Sequence, residues 1–353
     1  MMKKTLVALA VAAMAATSAN AAVVYEQDGA KVELSGSFRA YLGKMGNDQR
    51  GDLVNDGSRV YIKASQDLGN GLSAFAGYQL RFEDKDNTKT NKEATANSKF
   101  GSPTTRELYA GIAHQDIGKL SFGRHTTNAD DIVQDAAYYG SGDLNPLTTR
   151  SDKSVKFRSA EWNGFSFGLD YLFGDSDREV NDKANYKNGY AVTAFYNYDI
   201  DQDQKLNFGA VFSQDRYDAI GTSESAFKKT VWVGHVGYNY GPFDLGLSYG
   251  QYKDKYEERF SNEPTVKGRY SLVDVGYRVI EPSRLYGQWE RLDAKKDGTD
   301  GRDVTNRYIA GIDYKLHKNV VTYVQYTHQR DKFADGAETE KDNVYGVGLR
   351  VFF

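Results

Sequence analysis

Cysteine is missing altogether from the 353 residues. That removes disulfide staples, thiolate metal sites and a cysteine nucleophile together. Proline is scarce, at five residues, so little in the chain forbids long strands. Beyond the first twenty-odd residues there is no run of the ~20 apolar residues that a membrane helix needs. Nor is there a basic excess. Lys3 and Lys4, Leu6 to Ala16 and Ala19-Asn20-Ala21 read as the charged, apolar and cleavage regions of an export signal covering residues 1–21. Setting that leader aside leaves 43 Lys+Arg against 48 Asp+Glu, a net charge of −5. A nucleic-acid partner, which calls for a basic stripe, is not expected. Low mean hydropathy would place the protein in water, but a transmembrane barrel hides its lipid face by putting a polar residue at every second position.

Tyrosine (26), phenylalanine (18) and glycine (35) are plentiful, as suits long sheets with aromatic girdles. From residue 31 onward the sequence alternates with period two. In Lys31–Leu42 one face carries Val32, Leu34, Phe38, Ala40 and Leu42, and the other Glu33, Ser35, Ser37, Arg39 and Tyr41. In Asn306–Leu316 one face is Tyr308, Ala310, Ile312, Tyr314 and Leu316, and the other holds Arg307, Asp313 and Lys315. A one-residue slip would put those charges in lipid, at about 2–4 kcal/mol for each Arg or Lys at mid-depth. Sixteen such segments are expected, from Lys31–Leu42 to Val344–Phe353, with no linker between them. Short turns such as Leu68-Gly69-Asn70-Gly71 and Trp162-Asn163-Gly164 alternate with long charged connections. The long connections are Glu83–Pro103, Gly174–Asn188, Ser213–Lys229, Lys253–Lys267, Asp293–Thr305 and Gln329–Asn343. The fold class that follows is all-β, a 16-stranded antiparallel transmembrane β-barrel over residues 22–353. An even strand number puts both chain ends on one rim, and closure leaves no edge for the bilayer to meet.

One stretch breaks the pattern. From about 124 to 150, between Gly123 and Arg150, alternation stops. Ala129–Ala137 is expected to form about two helical turns, with Asn128 as N-cap and Asp130 and Asp131 at the positive end of the dipole. So long a connection is usually functional. It is expected to fold into the bore and narrow it as a constriction loop. Asp130, Asp131 and Asp135 are the candidate acidic groups. Arg39, Arg59, Arg81, Arg106 and Arg150 are the candidate basic wall. Each arginine could also be an ordinary lumen charge beside a neighbouring acid, and Asp130 and Asp131 could be only helix-start residues.

His114, His125, His235, His317 and His328 are scattered without metal-ligand spacing. Neither a Gly-x-Ser-x-Gly elbow nor a phosphate-binding loop is present. No catalytic residue, metal or cofactor is expected. An enzyme built on a barrel would need a lipid-facing Ser-His pair. A plugged structural or adhesive barrel is the remaining alternative, and it would conduct nothing.

Several segments look familiar. Ala22-Val-Val-Tyr-Glu-Gln-Asp-Gly-Ala-Lys-Val-Glu-Leu-Ser-Gly, Gly118-Lys-Leu-Ser-Phe-Gly-Arg124 and the terminal Phe353 resemble the general diffusion porins of Gram-negative outer membranes, most closely the major porins of the Pasteurellaceae. The resemblance spans the mature chain. It implies passive diffusion of ions and small hydrophilic solutes and a homotrimer with one pore per subunit. It also implies contact with outer-membrane lipid and lipopolysaccharide, and a C-terminal assembly signal at Phe353. Arg59, Arg106 and Arg150 fall where that family places wall arginines. Its basic position on the first strand is Ser37 here, with Arg39 on the same face. Its Pro-Glu-Phe-Gly-Gly-Asp loop signature is absent.

Overall fold

The computed structural model describes residues 21–82, 100–101, 103–133, 135–176, 185–218, 226–256 and 264–353. The export signal, apart from Ala21, lies outside them, as do most of the expected loop at 83–103 and the central parts of those at 174–188, 213–229 and 253–267.

Among the described residues eighteen strand segments form one sheet. They are β1 (Ala22–Gln27), β2 (Ala30–Lys44), β3 (Gly51–Asn55), β4 (Arg59–Gly69), β5 (Leu72–Phe82) and β6 (Pro103–His114). Next come β7 (Gly118–Thr126), β8 (Arg150–Ser159), β9 (Phe165–Phe173), β10 (Asn185–Asp199), β11 (Gln204–Asp218) and β12 (Phe227–Tyr240). The last are β13 (Phe243–Tyr256), β14 (Val266–Ile280), β15 (Ser283–Lys296), β16 (Asp303–His317), β17 (Val320–Lys332) and β18 (Glu340–Phe352).

Two of these segments are not staves of their own. β3 pairs with residues 40–44 of β2 and β4 with residues 30–37, so the two make one broken stave. On the other side of β2, β1 pairs with residues 30–34 and β18 with residues 37–44. The result is a closed 16-stranded antiparallel β-barrel. Its seam runs from Ser37↔Phe352 to Lys44↔Tyr345. The terminal Phe353 continues the seam by accepting from and donating to the Gly36 backbone, at 2.6 and 3.1 Å. A β-carbon at Gly36 would lie 2.5 Å from the Phe353 ring, so only glycine fits beneath it.

Facing follows the alternation. On β16, Tyr308, Ile312, Tyr314 and Leu316 are exposed on the outside, while Asp313 is buried inside. Leu108, Phe122, Trp232, Leu247, Val324 and Val347 carry the same exposed belt around the barrel. A wall this apolar requires lipid rather than water outside it. The tight turns sit at one rim, with Asn70 and Asn163 at positive φ beside Gly71 and Gly164.

Two expectations need correction. The strands at the long-loop rim run further than the apolar pattern suggests, to Asp218, Tyr256, Lys296 and Lys332. Hydrogen bonding between strands continues above the lipid belt, where polar side chains carry no cost. The helix over Ala129–Ala137 does not form. Among the described residues of that stretch the helical piece is a 3-10 turn, Asn128–Asp131, with Thr127 at the N-cap position and no side-chain cap. Wall side chains take the backbone groups that a helix would have used.

Candidate functional site: a constriction inside the barrel

The described residues of the stretch 127–149 leave β7, fold inward and lie against the inner wall. The seat is partly apolar. Ala129, Ile132 and Leu147 pack on Ala191, Val211, Val231, Val233, Tyr270 and Leu272 of β10, β11, β12 and β14. These wall residues point into the barrel, where a water-filled bore would favour polar side chains. They are apolar because the loop covers them. At 1 % exposure, Ile132 contributes as a core residue.

The seat is also polar, and the wall supplies the partners. The Asn128 backbone and side-chain N–H groups donate to the Asp170 carboxylate at 3.0–3.2 Å. Asn128 comes so close that a β-carbon at Gly168 would lie 2.3 Å from its Cγ. Gly142 N–H donates to Glu290 Oε1 at 2.7 Å, and the Thr148 hydroxyl to Asp215 Oδ2 at 2.9 Å. Gln325 Oε1 accepts from the backbone N–H groups of Tyr138 and Tyr139, and its Nε2 donates to the Tyr139 carbonyl at 2.6 Å. Arg284, Arg307 and Arg350 donate to the carbonyls of Ala136, Gly140 and Tyr138. The loop tip is clamped by rings. Tyr139 stacks on Tyr41 at 4.3 Å and Tyr138 on Tyr323 at 4.5 Å.

The loop lies against the wall from β8 to β18, its tip reaching Tyr41 on β2, and leaves most of the arc from β2 to β7 uncovered. That arc carries the arginines. Arg59 and Arg81 stand directly opposite each other on β4 and β5, and Arg39 faces Arg350 across the seam. Arg39, Arg59, Arg81, Arg106 and Arg350 lie within electrostatic reach of one another. Like charges placed opposite on neighbouring strands weaken a sheet, so folding does not account for this cluster. Two geometric details hold it. Arg59 Nε donates to the Gly57 carbonyl at 3.0 Å, and a β-carbon at Gly57 (φ +75°) would strike the Arg81 guanidinium. Asp56 offsets Arg350 at 2.6 Å.

The three candidate acids separate. Asp130 lies near Arg106, Arg150 and Lys156, and Asp131 pairs with Arg158 at 3.2 Å. Both line a cavity of about 820 Å³ that opens toward the short-turn rim and has Arg39, Arg59 and Arg106 on its other side. Asp135 belongs elsewhere. It is near Glu290, Asp274 and Asp143 and accepts from Gln288 Nε2 at 3.4 Å. Asp130 and Asp135 both touch water yet are ringed by protein, and that enclosure raises both carboxyls. For Asp135, with carboxylates as its neighbours, the rise reaches about 7.

Sequence reasoning did not single out Arg350, Arg158 or the tyrosine clamp. Arg350 was within reach, because it shares the inward parity of Gly346 and Gly348 on the last strand. The clamp was not, since it joins residues 41, 139 and 323.

A closed cylinder with an apolar outside, a charged bore and one loop narrowing it defines a passive membrane pore. The comparisons agree. The Gram-negative porin family model matches residues 8–334. Two major outer membrane proteins of Pasteurella multocida are 40% and 39% identical, with both chains covered completely. Solved structures share the fold at low identity. The OmpT loop L8 deletion mutant of Vibrio cholerae superposes with a TM-score of 0.72 at 18% identity, covering 92% of this chain and 100% of that one. OmpT has also been solved in a trimer form, with a TM-score of 0.70 at 18% identity, covering 92% and 100% of the two chains. The anion-selective porin of Comamonas acidovorans gives 0.69 at 16% identity, with 92% and 100% covered. The chain belongs to the Gram-negative porin family. It is an outer-membrane channel through which ions and small hydrophilic solutes diffuse passively.

Proposed function

We propose that this pore favours anions and that its eyelet is the gap between Arg39, Arg59, Arg81, Arg106, Arg150 and Arg350 on the wall and Asp130 and Asp131 on the loop. One observation carries the reading. The cavity on the short-turn side is lined by nine Lys or Arg side chains against four carboxylates. Asp170, Asp215, Glu290 and Asp313 on the far wall are turned to holding the loop. Asp131 is offset by Arg158. The uncompensated side-chain charge lining that cavity is positive.

A narrow gap in low-dielectric surroundings strengthens such a field. Water and solute dipoles align across it, and an anion gains at each step along the arginines. No single group holds the solute tightly, because flux requires weak binding. In this reading Asp135 stands behind the eyelet and shapes the loop rather than the stream.

The assembly favoured is a homotrimer with one pore per subunit, supported by the trimer form of the Vibrio relative. Removal of residues 1–21 would start the mature chain at Ala22, where β1 begins. Phe353 is the proposed assembly signal.

The test is planar-bilayer recording of the purified protein. Conductance should appear in multiples of three, with a zero-current potential of the anion sign in a potassium chloride gradient. Silent membranes would reject an open pore. A cation-sign potential would keep the pore and reject the anion preference.

A further inference from the structure

Where the loop meets β14 and β15, several buried polar atoms have no partner. Tyr270 and Asp274 point inward from β14, and Gln288 and Glu290 from β15, with Asp274 opposite Gln288 and Glu290 opposite Leu272. Tyr270 and Glu290 are fully buried. Among the described residues Tyr270 Oη, Glu290 Oε2 and Asp274 Oδ2 find no hydrogen-bond partner. The charged groups that act on the Tyr270 hydroxyl are Glu290, Asp135 and Asp274, so it faces the same spot. Leaving a buried group unmatched is costly, most of all a charged one. Native folds ordinarily match such atoms with an ion or an ordered water.

The loop brings a second carboxylate to this place. Gln288 Nε2 donates to Glu290 Oε1 and also to Asp135 Oδ1, the latter at 3.4 Å. Gly142 touches both acids as well. Its N–H donates to Glu290 Oε1 at 2.7 Å, and a β-carbon there would lie 2.8 Å from Asp135 Oδ2. Two carboxylates thus share the same neutral donors, and no cation of the chain answers them. Arg307 is committed to Gly140, Asp143 and Gln329, and Arg284 to Asp313 and Ala136. Asp135, Asp274 and Glu290 make no ion pair among the described residues.

We propose that Asp135 and Glu290 bind a calcium ion between the loop and the wall, and that the ion fastens the loop behind the eyelet. Among the described residues no three His, Cys, Asp or Glu side chains are gathered tightly enough to hold a metal by themselves. The donors here are two carboxylates, with the Tyr270 hydroxyl beside them and water entering on the exposed side of Asp135. Such an all-oxygen set suits a hard cation, not a transition metal. One acid comes from a wall strand and the other from a loop, and calcium accepts that irregular geometry where magnesium demands a near-ideal octahedron. The site rests on the reading of Asp135 as a group behind the eyelet, not on the direction of the ion preference.

The experiment is equilibrium dialysis of radioactive calcium against the detergent-solubilised full-length protein at pH 8, with planar-bilayer recording beside it. The wild type should bind one more calcium per chain than Asp135→Asn does. Asp135→Asn and Glu290→Gln should each weaken that binding by about tenfold or more, the least that losing a direct ligand should cost. Asp116→Asn, in a turn at the short-turn rim, should leave it intact. Should Glu290→Gln fail to assemble, Asp135→Asn on the exposed side of the loop still decides. Calcium should quieten the open wild-type channel and leave Asp135→Asn as noisy as before. Equal calcium binding by the wild type and Asp135→Asn would overturn the site, as would magnesium bound as tightly as calcium. A cation-sign zero-current potential would reject the anion preference and leave a calcium site that passes these tests standing.

Discussion

Arg81→Gln should make the barrel more stable and the channel less favourable to anions. Arg81 and Arg59 face each other across β4 and β5, and paired positions of this kind bring Cβ atoms about 4.5–5.5 Å apart. Two unit charges about 5 Å apart repel by roughly 0.8 kcal/mol in bulk water and roughly 3 kcal/mol at an effective dielectric of about 20. The bore is wet, so the lower figure governs. Removing one charge should stabilise the fold by about 1 kcal/mol. The same charge acts on the stream. A fixed cation about 5 Å from a passing ion shifts its free energy by roughly 0.8 kcal/mol, about fourfold in occupancy. The co-ion shifts the other way, and with a Debye length of about 10 Å at 0.1 M salt the anion-to-cation permeability ratio should fall about five- to tenfold. Urea unfolding of the refolded protein reads the first effect, and zero-current potential in a salt gradient reads the second. Arg81→Lys keeps the charge and should leave selectivity near wild type. A Gln variant that is less stable, with an unmoved potential, would make Arg81 a structural residue and refute the reasoning.

Asp130→Asn combined with Asp131→Asn should raise the anion-to-cation ratio by several fold, and an unchanged zero-current potential would remove both from the eyelet. Ile132→Ala removes a core residue of the loop seat and should weaken seating by about 2–5 kcal/mol, read as increased open-channel noise. Asp135 holds its proton up to about 7 because the folded loop encloses it. Ionisation therefore works against seating, the penalty being complete above about 7 and fading as pH falls below it. Open-channel noise should drop between pH 8 and pH 6, and Asp135→Asn should flatten that dependence. Deleting Phe353 should lower the yield of assembled trimer in the membrane fraction, and normal yield would dismiss it as the assembly signal.

Period-two patterning was enough to locate all sixteen staves, because a wall between lipid and water must alternate. It misplaced their upper ends, since above the bilayer the apolar face is no longer enforced and Lys253 or Lys255 reads like loop. It missed β3, whose five residues are cut from β4 by Asp56-Gly57-Ser58. The loop was legible as a break but not in its conformation. Asn128 and the stretch up to Ala137 carry local helix signals, yet Asp170 and Gln288, distant in sequence, take the backbone N–H groups of Asn128 and Ala137. Val231 and Val233 contradict a polar lumen until Ile132 is known to lie over them. Among the acids, nothing local sets Asp135 apart from Asp130. The difference is which stretch of wall each one meets.

The seam has a consequence for biogenesis. The staves that meet there are the first and the last, so nearly the whole polypeptide must be delivered before the ring can shut. A prematurely terminated copy would have the opening strand and an unmatched later strand as two sticky borders, the kind that recruit other chains. Phe353, lodged over Gly36, ties those two borders together and so withholds them from neighbouring chains.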